Sequence, residues 1–190
     1  MLICAIRSAV ARPLAAAAAC HFVPVAAKQH WVRSMALGPP ASATTVSDEL
    51  LDKLNTLSTQ ALIDGLWVLG WPTAFIEGAR PLRAGMKCAG RAVTLRFVPQ
   101  RPDIAMDKPT GTDSPEYEAF EKCGPNEVLV MASVGPWESV GGDIKFLRLK
   151  QRQVGGLVTD GSVRDTDELL NYGFPVFSYS TTPKQGPAAM

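Results

Sequence analysis

Arg164 and Asp165 stand side by side in the stretch GGLVTDGSVRDTDEL, Gly155 to Leu169, where an apolar strand gives way to a helix. A guanidinium beside a carboxylate at the carboxyl end of a strand is suited to hold an anionic substrate next to a metal ion. Most of the surrounding segment has a local explanation. Leu157 and Val158 read as a buried strand, Asp160-Gly161 as a tight turn, and Thr166, Asp167 and Glu168 as the first turn of a helix. Plainer roles compete for the pair itself: Asp165 as a helix cap, and Arg164 as the partner of Asp160 or Asp167 in a surface ion pair of little energy.

A second stretch, SVGPWESVGGD from Ser133 to Asp143, has complementary chemistry. Gly141 and Gly142 let the backbone approach a ligand closely, and amides at the start of a helix beginning near Asp143 form an anion site with the helix dipole behind them. A carboxylate or enolate oxygen held there would leave Arg164 to grip the other end. Asp165, with Asp143 directly or through water, would supply oxygen ligands to a hard divalent ion such as Mg²⁺ or Mn²⁺. The plainer reading is a flexible glycine pair with Asp143 as N-cap. Lys145 and Arg148 read as the solvated face of that helix, with Phe146 and Leu149 inward. Trp137 is a candidate pocket wall, and Trp67 and Trp71 read as core or interface aromatics.

These loops need a scaffold that brings them together. The pattern predicts strand Glu127 to Ala132, a glycine-rich loop, helix Asp143 to Gln153, strand Gly156 to Thr159, helix Asp165 to Tyr172 and strand Pro175 to Tyr179. Strands alternating with helices imply an α/β fold with a βαβαβ core and parallel pairing, so both loops emerge at one sheet edge. Upstream, Ser47 opens a short helix with Leu50, Leu51, Leu54 and Leu57 inward, and Ser58 or Thr59 caps a second one running to Leu69. Arg91 to Val98 alternates as a half-buried strand, Gln100 to Ser114 reads as a loop, and Ser114-Pro115-Glu116 starts a helix that Gly124-Pro125 ends.

Composition narrows the chemistry. With 190 residues, 46% hydrophobic and 19% charged, the chain is the size of one domain, and its net charge of +1 gives no basic field for nucleic acid. Four widely spaced cysteines, Cys4, Cys20, Cys88 and Cys123, suggest ordinary thiols. The two histidines, His21 and His30, both lie in an N-terminal extension, residues 1–45, set apart from the domain at 46–190. A histidine-based triad or zinc site is thereby excluded from the domain. No Asp or Glu occurs before Asp48, while Arg7, Arg12, Lys28 and Arg33 punctuate an alanine-rich run, a transit-peptide composition that favours mitochondrial import over secretion. Translation from Met35 would give a cytoplasmic form. The apolar run Leu14 to Ala27 is too short to cross a bilayer, so no membrane partner is expected.

GGDI, followed after one helix by GGLVTDGSVRDTDEL, resembles the 4-hydroxy-4-methyl-2-oxoglutarate aldolase family, also called RraA-like after a regulator of ribonuclease E. The likeness runs from about Leu57, where LSTQALIDGL resembles the family's N-terminal helix, to Gly186. It implies an α/β sandwich assembled as a trimer or hexamer with sites between subunits. It also implies that the backbone of Gly142, Asp143, Ile144 and Lys145 binds a 2-oxo acid, that Arg164 contacts substrate, and that Asp165 anchors a divalent metal while Asp143 holds water near it. The implied activity is cleavage of 4-hydroxy-2-oxo acids and decarboxylation of oxaloacetate, both through a metal-stabilised pyruvate enolate. Family members continue past the position of Met190, so the final strands, and any catalytic acid they carry, are expected to be missing. Two other outcomes stay open: a non-catalytic binding or regulatory protein of the same family, and an inactive shortened form.

Overall fold

The computed structural model describes residues 46–71, 74–105 and 111–185. Helix α1, Asp48–Thr56, starts at Ser47, whose hydroxyl accepts from the Leu50 amide, and Asp48 and Glu49 complement the positive end of its dipole. Helix α2, Thr59–Val68, is capped in the same way by Ser58. There follow β1 (Arg80–Pro81), β2 (Arg91–Arg96), the one-turn helix α3 (Pro102–Ala105), a 3-10 turn at Gly111–Asp113, α4 (Pro115–Lys122), β3 (Glu127–Ala132) and α5 (Asp143–Gln151). The described chain ends with β4 (Gly156–Thr159), β5 (Ser162–Val163), α6 (Thr166–Asn171), β6 (Val176–Ser178) and β7 (Ser180–Thr181).

Five strands form one sheet in the order β1-β6-β4-β3-β2, while β5 and β7 pair as a small second sheet. β2, β3, β4 and β6 run parallel, and β1 closes the edge antiparallel to β6. Because successive side chains of a strand point to opposite faces, each strand feeds two cores. Leu129, Met131, Leu157 and Val176 pack with Phe120 of α4, Phe146 and Leu149 of α5 and Leu169 of α6. Their neighbours Val128, Val158 and Phe177 face the other way, onto Ala79 and Cys88. All four residues of β4 are buried, as expected for a central strand covered on both faces. Burial also pushes the thiols of Cys88 and Cys123 up, to about 11 and about 12, so both behave as inert apolar groups.

The α/β class and the parallel βαβαβ core match the expectation, and several details differ. Helix α5 stops at Gln151 because Gln153 takes a left-handed conformation at φ 60. Helix α6 begins at Thr166, one residue past Asp165. Helix α1 buries Leu51, but Leu50 and Leu57 are exposed. Trp67 and Trp71 are 70% and 59% exposed, so neither is a core aromatic within this chain. The segment read as a loop over 100–114 contains α3 and the 3-10 turn. Strands β1, β5 and β7 have two residues each, too few to carry a periodic signal. Among the described residues no helix is long and apolar enough to cross a membrane. The expectations for residues 1–45, including the import signal and the start at Met35, lie outside the described residues.

Candidate functional site

Three strand-to-helix junctions, β2 to α4, β3 to α5 and β4 to α6, open at the carboxyl edge of the parallel sheet, where open α/β folds place ligands. The loop after β3 is laced onto the segment after β4 through the backbone. The Ser133 amide donates to Asp160 Oδ1 at 2.7 Å. Further along, the Ser162 amide donates to the Glu138 carbonyl at 2.9 Å, the Val140 amide to the Ser162 carbonyl at 2.9 Å and the Arg164 amide to the Gly141 carbonyl at 3.0 Å. The two stretches read from sequence as partners are thus neighbours, and their register sets Gly142 against Arg164 and Asp165.

Asp165 holds the N-cap position of α6 but makes no cap there. Its backbone is left-handed, φ 54 and ψ 45, a conformation that costs an ordinary residue about 1–2 kcal/mol. The carboxylate turns instead toward α5: Oδ2 accepts from the Asp143 amide at 3.2 Å and from Arg164 Nε at 3.1 Å. A Cβ on Gly142 would lie 2.2 Å from that oxygen and 2.6 Å from Arg164 Cγ, so only glycine leaves room for it. The φ of Gly142, −162, is one any residue adopts, and the requirement is steric rather than conformational.

These contacts correct three readings. Gly142, not Asp143, is the N-cap residue of α5, and Asp143 is the first residue of the helix. Arg164 pairs with neither Asp160 nor Asp167 but folds back on Asp165. The Asp143 amide, expected to face a ligand, is engaged by Asp165. Among the described residues nothing accepts from the amides of Ile144 and Lys145, which remain as free donors at the positive end of the α5 dipole. The Ile144 side chain is 78% exposed.

Lys145 is not a solvated lysine. Its ammonium is 2.6 Å from Glu116 Oε2, a carboxylate with no exposed surface in the first turn of α4. Glu116 Oε1 has no hydrogen-bond partner, and burial pushes this carboxyl above its usual range against the opposing pull of Lys145. In the sequence, Glu116 looks like any acidic residue complementing a helix dipole, so no local signal marks it as buried. Arg148 does lie on the exposed face as expected, paired with Glu121 at 2.8 Å.

Tyr172, in the sequence only the end of a helix, carries no local signal of a role at this site. Its hydroxyl donates to the Asp143 carbonyl at 3.1 Å and lies 3.4 Å from Asp143 Oδ1. Burial, and then the neighbouring Asp143 carboxylate, push this phenol well above its ordinary range, so it stays protonated and able to donate. Trp137 stacks edge-on against Tyr179, ring centres 5.3 Å apart, and is 60% exposed, so it flanks the loop without enclosing it.

Arg164 and Asp165 open into a groove of about 400 Å³ bordered by Thr166, Asp167, Glu168 and Thr181 to Pro183. A cavity of about 510 Å³ between α4 and α5 is larger, but its charged residues, Glu121 and Arg148, are bound to each other. The groove holds Arg164 and Asp165, also paired with each other but tied to the start of α5 where the Ile144 and Lys145 amides are free, and is the better candidate. Among the described residues no three Asp, Glu, His or Cys side chains gather as an all-protein metal cage. The Asp165 carboxylate, which lines the groove, fits a hard ion that binds through one or two carboxylates and keeps several waters.

A protein-family model described as RraA-like, Aldolase/RraA, matches residues 44–190. Among solved structures, RraAS2 of Streptomyces coelicolor, described as an unusual member of the RNase ES inhibitor RraA protein family, is 28% identical. It matches 75% of this chain and 69% of its own with a TM-score of 0.66. An uncharacterized protein from Pseudomonas syringae pv. tomato str. DC3000 is 25% identical, with a TM-score of 0.65 over 79% of this chain and 64% of its own.

Proposed function

Since the chain belongs to the RraA-like family, we propose that it is a divalent-metal-dependent lyase acting on 2-oxo acids, with Arg164, Asp165 and Asp143 as its working residues. One observation carries the reading: the carboxylate of Asp165, paired with Arg164, accepts from the first amide of α5, beside the free amides of Ile144 and Lys145. Asp165 turns its carboxylate to α5 and Arg164 and makes no cap for its own helix.

The amides of Ile144 and Lys145 receive the substrate carboxylate, helped by the α5 dipole. Arg164 leaves Asp165 and grips the substrate with its planar fork. Asp165 is then free to hold Mg²⁺ or Mn²⁺, which when bound supplies Lewis-acid stabilisation of an enolate, worth several kcal/mol. That electron sink serves retro-aldol cleavage of 4-hydroxy-2-oxo acids and decarboxylation of oxaloacetate alike. Lys145 is held by Glu116 and is not placed as a Schiff-base amine, consistent with a metal route. Asp143, the first residue of α5, is the candidate for moving a proton at the reacting end.

Purified protein with Mg²⁺ or Mn²⁺ is expected to release pyruvate from oxaloacetate or from a 4-hydroxy-2-oxo acid, with release lost on chelation and in Asp165→Ala. A wild-type protein without metal-stimulated release overturns the proposal. We also propose a homo-oligomer, supported by the exposed apolar run Trp67, Val68, Leu69 and Trp71 at the end of α2. The same run favours the second reading, a non-catalytic binding protein, for which a stable complex unaffected by Asp165→Ala is the test. Mitochondrial import is proposed from the acid-free composition before Asp48, with the cytoplasm as the alternative, and is checked by fusing residues 1–45 to a fluorescent reporter.

A further inference from the structure

Asp143 is held from both ends of one short helix. Asp165, just before α6, accepts from the Asp143 amide, and Tyr172, just after its last residue, donates to the Asp143 carbonyl. The helix between them is anchored by Leu169, which has no exposed surface and packs in the same core as Phe146 and Leu149 of α5. The distance between the two contacts is therefore set by packed helices and not by loops. The Tyr172 ring packs partly buried against that core, leaving its hydroxyl at the start of α5.

We infer that Tyr172 is a positioning residue for Asp143, orienting its carboxylate toward the substrate; the inference rests on the lyase reading above. The geometry supplies the reason. A phenol has one proton, and its two acceptors here, the carbonyl at 3.1 Å and Oδ1 at 3.4 Å, belong to the same residue. Given to the carbonyl the proton fixes the start of α5, and given to Oδ1 it holds the Asp143 carboxylate beside the phenol. The other carboxylate oxygen, Oδ2, has no hydrogen-bond partner among the described residues. Asp143 is at the first position of its helix and is not itself tied down by a cap bond, so without the phenol its side chain is free to rotate. A catalytic carboxylate that samples several rotamers loses rate through misplacement even when binding is intact.

Tyr172→Phe keeps the ring and removes only the hydroxyl. With Mg²⁺ present, kcat for pyruvate release is expected to fall roughly ten- to hundredfold, the range for losing a hydrogen bond to a charged group. KM should stay within about twofold, because the amides and Arg164 that bind substrate are untouched. Calorimetric binding of oxalate, a planar dianion resembling the pyruvate enolate, should likewise stay within about twofold. Combined with Asp143→Asn, the second change should add nothing further, since both act through one carboxylate. A folded Tyr172→Phe with unchanged kcat, or a double variant whose losses multiply, overturns the inference while leaving the lyase reading standing. A wild type that releases no pyruvate overturns both. A merely structural role for Tyr172 predicts weakened oxalate binding and a lowered melting temperature without the kcat-only signature, and that outcome also overturns it.

Discussion

The carboxylate of Asp165 accepts the amide hydrogen of Asp143 at 3.2 Å, so the residue at the head of α6 caps its neighbour α5 and leaves its own helix uncapped. The first amides of a helix have no partner within it, and here one is satisfied from another helix. The consequence is a carboxylate with two duties, closing a helix end and presenting charge to the groove.

Substitution separates the two duties. Asp165→Asn keeps an acceptor for the Asp143 amide but no charge for a cation. Its stability should lie within about 1 kcal/mol of wild type, while metal-stimulated pyruvate release falls more than roughly a hundredfold. Asp165→Ala should lose about 1 kcal/mol more, the usual cost of a deleted cap. Equal activity of wild type and Asp165→Asn would contradict the assignment.

Glycine substitutions test the fit of the two loops. Gly142→Ala places a methyl group 2.2 Å from Asp165 Oδ2 and 2.6 Å from Arg164 Cγ, so the pair must move away from α5. Activity should drop more than about tenfold with a stability loss of about 1–3 kcal/mol. Gly85→Ala is the control: its φ of +84 is strained for alanine but nothing lies within 4 Å of the new methyl. It should cost about 1 kcal/mol in a denaturant titration and leave turnover unchanged.

Glu116 gives a pH signature. Burial raises its carboxyl above the usual 4.5, so the folded protein holds this proton more tightly than the unfolded chain. The stability so contributed is fully present below pH 4.5 and is lost as pH rises through the raised value. Melting temperatures measured from about pH 4 to about pH 7 should therefore show Glu116→Gln gaining on wild type as pH increases. A difference that is flat with pH would mean that Lys145 balances burial, and one of opposite sign that Lys145 outweighs it.

Arg164→Lys retains the charge and loses the planar fork. The ion pair with Asp165 is partly exposed, the two side chains at 39% and 33%, so the melting temperature should hardly move. Steady-state kinetics should show KM for oxaloacetate up roughly tenfold, with a smaller change in kcat. An unchanged KM would remove Arg164 from substrate binding.

How much of this was legible in the sequence follows from the range of each interaction. The alternation of Glu127 to Ala132, Asp143 onward, Gly156 to Thr159 and Thr166 onward records strands and helices, because burial on a sheet or helix face repeats with a period of 2 or 3.6 residues. Parallel connectivity then puts every strand-to-helix loop on one edge, so the meeting of the Gly142 loop with Arg164 and Asp165 was legible from order alone. The contacts that give those residues their roles were not. Asp165 on the Asp143 amide spans 22 residues, and Tyr172 on Asp143 and Glu116 on Lys145 each span 29. Each depends on the spacing and rotation of packed helices, which no local pattern encodes. The sequence by itself determined which residues reach the ligand edge; only the tertiary structure decided that Asp165 caps α5, that Lys145 is bound to a buried acid, and that a tyrosine holds Asp143. Parallel pairing follows from the alternation of strands and helices along the chain, whereas the partner of a side chain is chosen by close packing between helices far apart in the chain.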